Sequence, residues 1–434
     1  MYPKLIKSNI KLTIGILVSN SIGTIRNCME SIKPLLDAVP SELIVVDTKG
    51  EETDGSIAVV REYTDRIYPF VWCNDFAAAR NVCIDHARGE WFLFLDDDEW
   101  FDDVRELIDF FKSGECEKYH SAFYYARNYA ADGSYSDSIV GRMVRRTVHT
   151  RFVGKVHEGF NEVYAPNKHF SCFVHHYGYA FTDEEATKKH QQRNLSILKE
   201  ELATEGYTPR VCAQMAQELL YLSETREEGL RFCMESIEWL EKSGKLMDAC
   251  SQWLLLASVR AYFSQKEYKK AIAQAEEVFE HYELTQMARM AIAGVAVSAA
   301  VDGESYEVIP KYASVYLEGY DWLKKHPEEA LLQTNLDMPK YNTERYRAQV
   351  LQAGAIVANI MQKFDQAFAY WKQLPWEAEW FPASKYKEDL LITLRGLEDK
   401  TPLIRYYRKF YKEEWFLEEN REYLPKECRE ALKQ

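Results

Sequence analysis

The 434-residue chain has no run approaching the roughly 20 consecutive apolar residues that a membrane-spanning helix requires. Its N-terminus lacks the apolar core and small-residue cleavage site of a secretory signal, so a cytoplasmic protein is expected. Nine cysteines, an odd number scattered from Cys28 to Cys428 without CxxC spacing, speak against a disulfide framework and a zinc knuckle. There is no long Lys/Arg run, and 54 basic residues stand against 68 acidic ones for a formal charge of −14. That balance counts against a surface built to neutralise a nucleic-acid backbone. Glycine-rich phosphate loops are missing too: SNSIGT, after the first apolar run, supplies neither GxGxxG nor GxxxxGK[ST].

What the chain does have is 47% hydrophobic residues, enough for sizeable cores in two or three domains, so disorder is excluded as its main character. Residues 11–100 alternate short apolar runs with amphipathic stretches, the pattern of parallel strands joined by crossover helices. LTIGILV ends at Ser19 and Asn20. A helix follows over 24–36, with Ile25, Cys28, Met29, Ile32 and Leu36 on one face. LIVV ends on Asp47, IYPFVW precedes a helix over 75–87, and WFLFL ends on four acids. Strand ends in open α/β sheets are where ligands bind, which places Ser19, Asp47 and Asp96 at a candidate cleft. Residues 119–180 change to short Tyr- and Val-rich pieces with turns between them, so the sheet is expected to be mixed.

After about residue 183 helical periodicity dominates to the C-terminus. KEYKKAIAQAEEVF, from Lys266, and KFDQAFAYWKQLP, from Lys363, both place an aromatic three residues before an Ala, and LYLSETREEGLRF is a weaker third copy. Tyr268–Ala271 and Phe364–Ala367 are offset by about three tetratricopeptide (TPR) periods. The expected organisation is an α/β domain over 1–200 and an α-helical, TPR-like repeat domain of about five to seven helix pairs over 201–434. An irregular helical bundle is the alternative.

The sharpest chemical signal is WFLFLDDDEW, where an apolar strand runs into Asp96, Asp97, Asp98 and Glu99. Residues two apart on a strand share a side, so Asp96 and Asp98 can converge on one Mg²⁺ or Mn²⁺ while Asp97 faces elsewhere. Such an ion offsets the repulsion and binds diphosphate oxygens. A solvated acidic turn capping the next helix is the bland alternative. The run is too compact for an EF-hand loop.

Taken in order, ILVSN, LIVVD, WCNDFAAARN, ARGEWFLFLDDDE, GKVHEGF and HHYGY resemble the family-two glycosyltransferases of GT-A fold. The resemblance is nearest to bacterial core-saccharide β-glycosyltransferases and to the peptide S-glycosyltransferases of glycocin (glycosylated bacteriocin) pathways, which also carry a helical repeat tail. It spans roughly residues 11–200 and implies inverting transfer of a sugar from a nucleotide diphosphate sugar, probably a UDP-sugar. With that resemblance, the acid run is read as the family's DXD motif, with Asp98 the principal metal ligand and Asp96 touching ribose or metal. It makes Ser19, Asn20, Asp47, Asp75, Arg80, Asp96 and Asp97 donor-site residues. One departure is the loop after the second strand, DTKGEETDGS, which is longer than the family's and opens on one Asp in place of a pair.

Asp75 can equally serve as a helix N-cap, and Arg80 as a structural bridge to the acids. Displacement with inversion needs a base near the acceptor, and Glu158, beside His157, is the first choice, with His157 the alternative. His176 of the His175–His176 pair is the candidate that completes a metal or diphosphate site, or it is structural. Arg142, Arg145 and Arg146 form a compact basic set that either meets diphosphate or an anionic acceptor, or decorates a strand.

A peptide or protein acceptor recognised by the helical tail is the leading reading, with self-association through that tail as its other use. Against it stand the same chemistry on a saccharide or lipid-linked acceptor for cell-surface polysaccharide, and a non-enzymatic TPR-type scaffold carrying a degenerate transferase domain.

Overall fold

The computed structural model describes residues 4–50, 54–129, 135–177, 184–399 and 401–410. Part of the lengthened loop (51–53), the end of HHYGY (Gly178 and Tyr179) and the C-terminal stretch 411–434 lie outside the described residues. The chain divides into two compact units, Met1–Gly206 and Tyr207–Gln434.

The first unit contains strands β1 (Leu12–Val18), β2 (Ser41–Asp47), β3 (Ile67–Pro69), β4 (Trp91–Asp96), β5 (Glu99–Phe101), β6 (Ser121–Tyr129), β7 (Tyr135–Arg145), β8 (Phe152–Val153), β9 (Gly159–Phe160) and β10 (Asn167–His176). Eight of them form one sheet in the order β3-β2-β1-β4-β7-β6-β10-β5, and β8 pairs with β9 separately. β1 through β4 run parallel, β7 joins β4 antiparallel, and β10 lies parallel to β6 and antiparallel to β5. The sheet is mixed, as the change of pattern after residue 119 predicts. Helices α1 (Ile25–Ala38), α2 (Ser56–Val60), α3 (Phe76–His86), α4 (Arg105–Lys112) and α5 (Glu184–Glu205) complete the unit.

β4 is buried on both faces, which is why its sequence reads as an unbroken apolar run. Trp91, Leu93 and Leu95 pack with Ile25, Met29 and Ile32 of α1 and Leu107 and Phe110 of α4. Phe92 and Phe94 pack on the opposite face with Ala79, Cys83 and Ile84 of α3. In α1 the buried stripe closes on Leu35, and the expected Leu36 is half-buried at its edge. Strand alternation carries one step further and sets Asp96 on the Phe94 side, facing α3.

The second unit is helical: α6 (Pro209–Tyr221), α7 (Arg226–Lys242), α8 (Ala249–Ser264), α9 (Tyr268–His281), α10 (Gln286–Asp302), α11 (Ile309–Lys325), α12 (Pro327–Leu332), α13 (Glu344–Ile360), α14 (Phe364–Trp371), α15 (Lys387–Gly396) and α16 (Thr401–Phe410). Successive helices pack as pairs, α6 with α7, α8 with α9, α10 with α11, α13 with α14 and α15 with α16, and the first helices of neighbouring pairs pack on one another. Lys266 and Gln362, in the turns before α9 and α14, share a left-handed backbone with φ of 61° and 57°.

The aromatic of each repeated motif meets a glycine at the end of a later helix. A Cβ on Gly303 would lie 2.6 Å from Tyr268 Cβ, and one on Gly396 would lie 2.3 Å from the Phe364 ring. Gly396→Val is therefore expected to destabilise the tail by about 1–3 kcal/mol through overpacking. A urea titration of the full chain, read by the tail's tryptophans, checks this; an unmoved midpoint would show that α15 can shift away freely.

One segment breaks the repeat. Residues 333–341, between α12 and α13, cross the first helices of two pairs. The Gln333 side chain accepts from Met287 N (3.2 Å) at the start of α10. Asp337 accepts from Trp253 Nε1 (2.9 Å) and Arg260 Nη1 (2.6 Å) of α8. Met338 and Tyr341 are buried, and Tyr316 Oη of α11 donates to Tyr341 O (2.6 Å). Among the described residues, no helix is long and apolar enough to cross a membrane.

Candidate active site

β4 stops at Asp96, so strand alternation does not govern the next three acids, and each of them takes different partners. Asp96 lies between two arginines. Arg80 of α3 pairs with its Oδ1, and Arg142 of β7 donates to its Oδ2 at 2.9 Å. Arg80 pairs on its other side with Glu158, and Arg142 reaches Glu99 at 2.5 Å. Both guanidiniums stack over Phe94, 4.5 and 4.9 Å from the ring centroid. The result is a chain of alternating charge, Glu158–Arg80–Asp96–Arg142–Glu99, wrapped around one aromatic ring.

Burial opposes the charge on Asp96, but Arg142 and Arg80 outweigh it and hold the carboxyl well below its usual range. Glu99, wholly buried next to Asp96, is pushed up by burial despite Arg142. Asp97 turns towards β1 and accepts from Ser19 N at 2.8 Å, and burial raises its pKa.

Asp98 faces His176, with 3.9 Å between Oδ2 and Nε2. Burial, followed by the charges of Asp96 and Asp97, pushes Asp98 up to about 7. Burial and Arg142 push His176 down to about 4, so its imidazole is neutral near pH 7. The Asn128 amide nitrogen donates to Ser138 Oγ (3.0 Å), which turns its Oδ1 to His176 Nδ1 at 2.7 Å. Nδ1 therefore carries the hydrogen, and the Nε2 lone pair points to the Asp98 side.

The three expected metal ligands are not brought together. Among the described residues, no group of three His, Cys, Asp or Glu side chains is placed to hold an ion. Both oxygens of Asp96 are occupied by arginine, and its position is fixed by them. Asp98 and His176 remain as a pair of an oxygen and a nitrogen donor, and their gap is one that a single cation with bonds of about 2.1 Å spans.

The other expected residues are dispersed around this centre. Asp75 is the N-cap of α3, accepting from Ala78 N at 2.7 Å. Asp47, at the end of β2, accepts from Lys49 N (3.0 Å) and Gly50 N (3.1 Å), closing the turn after the strand. It borders a hollow of about 280 Å³ that Ile57, Arg61, Asp65, Ile67 and Pro69 complete. Asn20 has a left-handed backbone (φ 54°) beside exposed Ser19. Glu158 is nearly buried against Arg80, whereas His157 is exposed and left-handed (φ 50°).

The basic set splits. Arg145 binds Glu117, Arg146 donates to Ala87 O and Gly89 O (both 2.9 Å), and only Arg142 of the three joins the acids. Sequence reasoning left Arg142 undistinguished from its neighbours and overlooked Asn128 and the role of Glu99. The only available signal was that Arg142 falls on β7, beside β4, a pairing invisible in a linear chain.

Residues 13–187 match the family model described as Glycosyl transferase family 2. The SPbeta prophage-derived glycosyltransferase SunS of Bacillus subtilis is 30% identical over 244 residues, covering 53% of this chain and 54% of SunS. A TPR repeat-containing protein of Synechococcus elongatus is 27% identical over 179 residues, 39% of this chain and 42% of that protein. The chain thus spans about half the length of the curated relatives it matches. The crystal structure of S. aureus TarS residues 1–349 in complex with UDP superposes with a TM-score of 0.33 at 13% identity, covering 63% of this chain and 93% of that one. Four parallel strands, a carboxylate turn after the fourth and a mixed remainder form a GT-A-like domain, followed by a helical region. Over residues 13–187, the N-terminal unit of the chain is similar to glycosyl transferase family 2.

Proposed function

We propose that the chain is an inverting, metal-dependent glycosyltransferase that moves a sugar from a nucleotide diphosphate sugar, preferentially a UDP-sugar, to a peptide or protein acceptor. The observation that supports this most is the Asp98–His176 pair, a neutral nitrogen donor opposite a carboxyl whose charge its acidic neighbours disfavour. A divalent cation bound there supplies charge compensation for the departing diphosphate. Asp98 and His176 would hold it, and Asn128 would fix the imidazole tautomer.

Asp96, clamped by Arg80 and Arg142, is positioned to orient the donor rather than to bind metal. Asp47 ends β2, two strands from β4, about 10 Å away by ordinary strand spacing and a span that a nucleoside covers. Ser19 and Asn20 line the strand end between them. Arg80 holds Glu158 by Oε1, and Glu158 takes the proton of the incoming nucleophile.

The direct test is incubation with a panel of nucleotide sugars, with and without Mn²⁺, read by donor hydrolysis and by intact mass of candidate acceptor peptides. Absence of any nucleotide binding would favour a scaffold and overturn the proposal. Replacing the proposed base, Glu158→Gln is expected to slow transfer by about 10²–10⁴-fold. Normal turnover in that variant, with loss in His157→Ala, reverses the assignment.

A further inference from the structure

The alternate residues of β10 divide between two faces of the sheet. Phe170, Cys172 and Val174 belong to the core that α1 and α4 cover. Phe173 and His175 therefore point to the opposite face, which at β4 is the face of Phe92 and Phe94. On β6, Tyr125 and Tyr129 share that face; on β7, Tyr135 pairs with Tyr129 and Ile139 with Tyr125. Trp100 of β5 stacks on His175 and Tyr177 (5.6 and 5.2 Å), and Tyr129 stacks on Tyr177 (4.4 Å). Four of these side chains are exposed to solvent: Tyr125 39%, Tyr135 57%, Ile139 46% and Tyr177 42%.

The face carries charges, but they are matched within it. Arg127 binds Asp137 through two hydrogen bonds (2.8 and 2.9 Å) and lies over the Tyr135 and Phe173 rings. His175 holds Tyr129 Oη at 2.7 Å and faces Asp102 at 3.4 Å. Such internal pairing suits an uncharged ligand and does not suit an anionic polymer. The surface is also broad. Four adjacent strands extend for about 14 Å and Tyr125 to Tyr129 for about 13 Å, the reach of four or five extended residues and well beyond one pyranose ring. Tyrosine-rich, rigid, partly polar surfaces of this kind suit polypeptide partners. At β4 the same face carries Phe94 and Asp96 and so leads to the Glu158–Arg80–Asp96 side of the reaction centre, whereas His176, next to His175, turns to the other face.

Resting on the transferase reading above, we infer that this aromatic sheet face is the acceptor-docking surface and that it takes an extended, uncharged polypeptide segment with apolar side chains flanking the nucleophile. The segment lies along this face between its Tyr125–Ile139 and Trp100–Tyr177 ends and delivers its hydroxyl or thiol on the Glu158 side of the reaction centre.

The test is selection of random short peptides bearing one central Cys or Ser on the immobilised full chain, compared with the exposed-site variant Tyr125→Ser/Ile139→Ser/Tyr177→Ser. Binding of fluorescent UDP is measured on both. The wild-type chain is expected to enrich peptides with apolar flanking residues, and the variant to lose that enrichment about tenfold or more with UDP binding intact. Equal enrichment on both proteins overturns the docking face. So does UDP binding without any peptide enrichment, or retention of oligosaccharides on an array that the variant alone fails to bind. Peptide enrichment lost in the variant, without UDP binding by either protein, keeps the docking face and overturns the donor assignment beneath it.

Discussion

Asp98→Asn is expected to lower Mn²⁺-dependent donor turnover by about 10²–10³-fold, while raising the thermal stability of the metal-free protein at pH 8. Both effects have one origin. Burial and two neighbouring carboxylates push Asp98 up to about 7, above its ordinary 3.8. Between about pH 4 and 7 the unfolded chain has lost this proton while the folded chain keeps it, so unfolding releases a proton and stability falls as pH rises. Above pH 7 both states are ionised and the penalty is constant. Asparagine cannot ionise, so its advantage grows across that window and persists at pH 8, on the order of 2–4 °C in melting temperature for a chain this long. A cation added to wild type should reverse the order of the two proteins. Thermal scans at pH 5 and 8, with and without Mn²⁺, check this; full turnover in the presence of chelator would sink the metal assignment.

The second large effect concerns Arg142, whose guanidinium faces Asp96 and the wholly buried Glu99. Arg142→Met takes away one of the two cations that hold the Asp96 carboxylate and leaves the buried Glu99 carboxyl, already pushed up by burial, without its hydrogen-bond donor, and the expected loss is about 3–5 kcal/mol. Activity should fall with it, because Asp96 then has only Arg80 to position it. The double variant Arg142→Met/Glu99→Leu removes the stranded carboxyl and should recover much of the stability but not the activity. Urea midpoints for the two variants decide the matter: a single variant as stable as wild type would mean that the alternating charge chain contributes nothing to the fold.

The parts of this molecule that were legible in sequence are those whose signal is local. WFLFLD shows a strand buried on both faces because no polar residue interrupts it until Asp96, and Asp75 shows a helix start because the cap and the helix are adjacent. The acid run itself could not be missed. Its division of labour could, because partners lie far along the chain: Arg80 is 16 residues from Asp96, Arg142 is 46, and Arg80 is 78 from Glu158. Picking Arg142 out of three neighbouring arginines requires the β4–β7 register, and the adjoining β6–β7 ladder shifts between Ala122 and Tyr124. Such an irregularity leaves no compositional trace. In the tail, the Tyr268 and Phe364 motifs were legible because repetition amplifies them. Residues 333–341 were not, since their placement depends on single contacts made by Gln333 and Asp337.

Those single contacts change how the tail should come apart. In an ideal solenoid each pair touches only its neighbours, and melting can begin at one end and proceed stepwise. Here Asp337, just ahead of α13, is fastened to Trp253 and Arg260 of α8, skipping over the intervening pair. Releasing α8 therefore leaves the half-exposed Asp337 with Lys340 as its remaining cation, and freeing residues 333–341 takes the partner of Trp253 and Arg260 away from α8. The central three pairs are tied into one cooperative block, so fraying is confined to the helices outside it, and a truncation that cuts between α9 and α13 removes a clasp rather than a repeat.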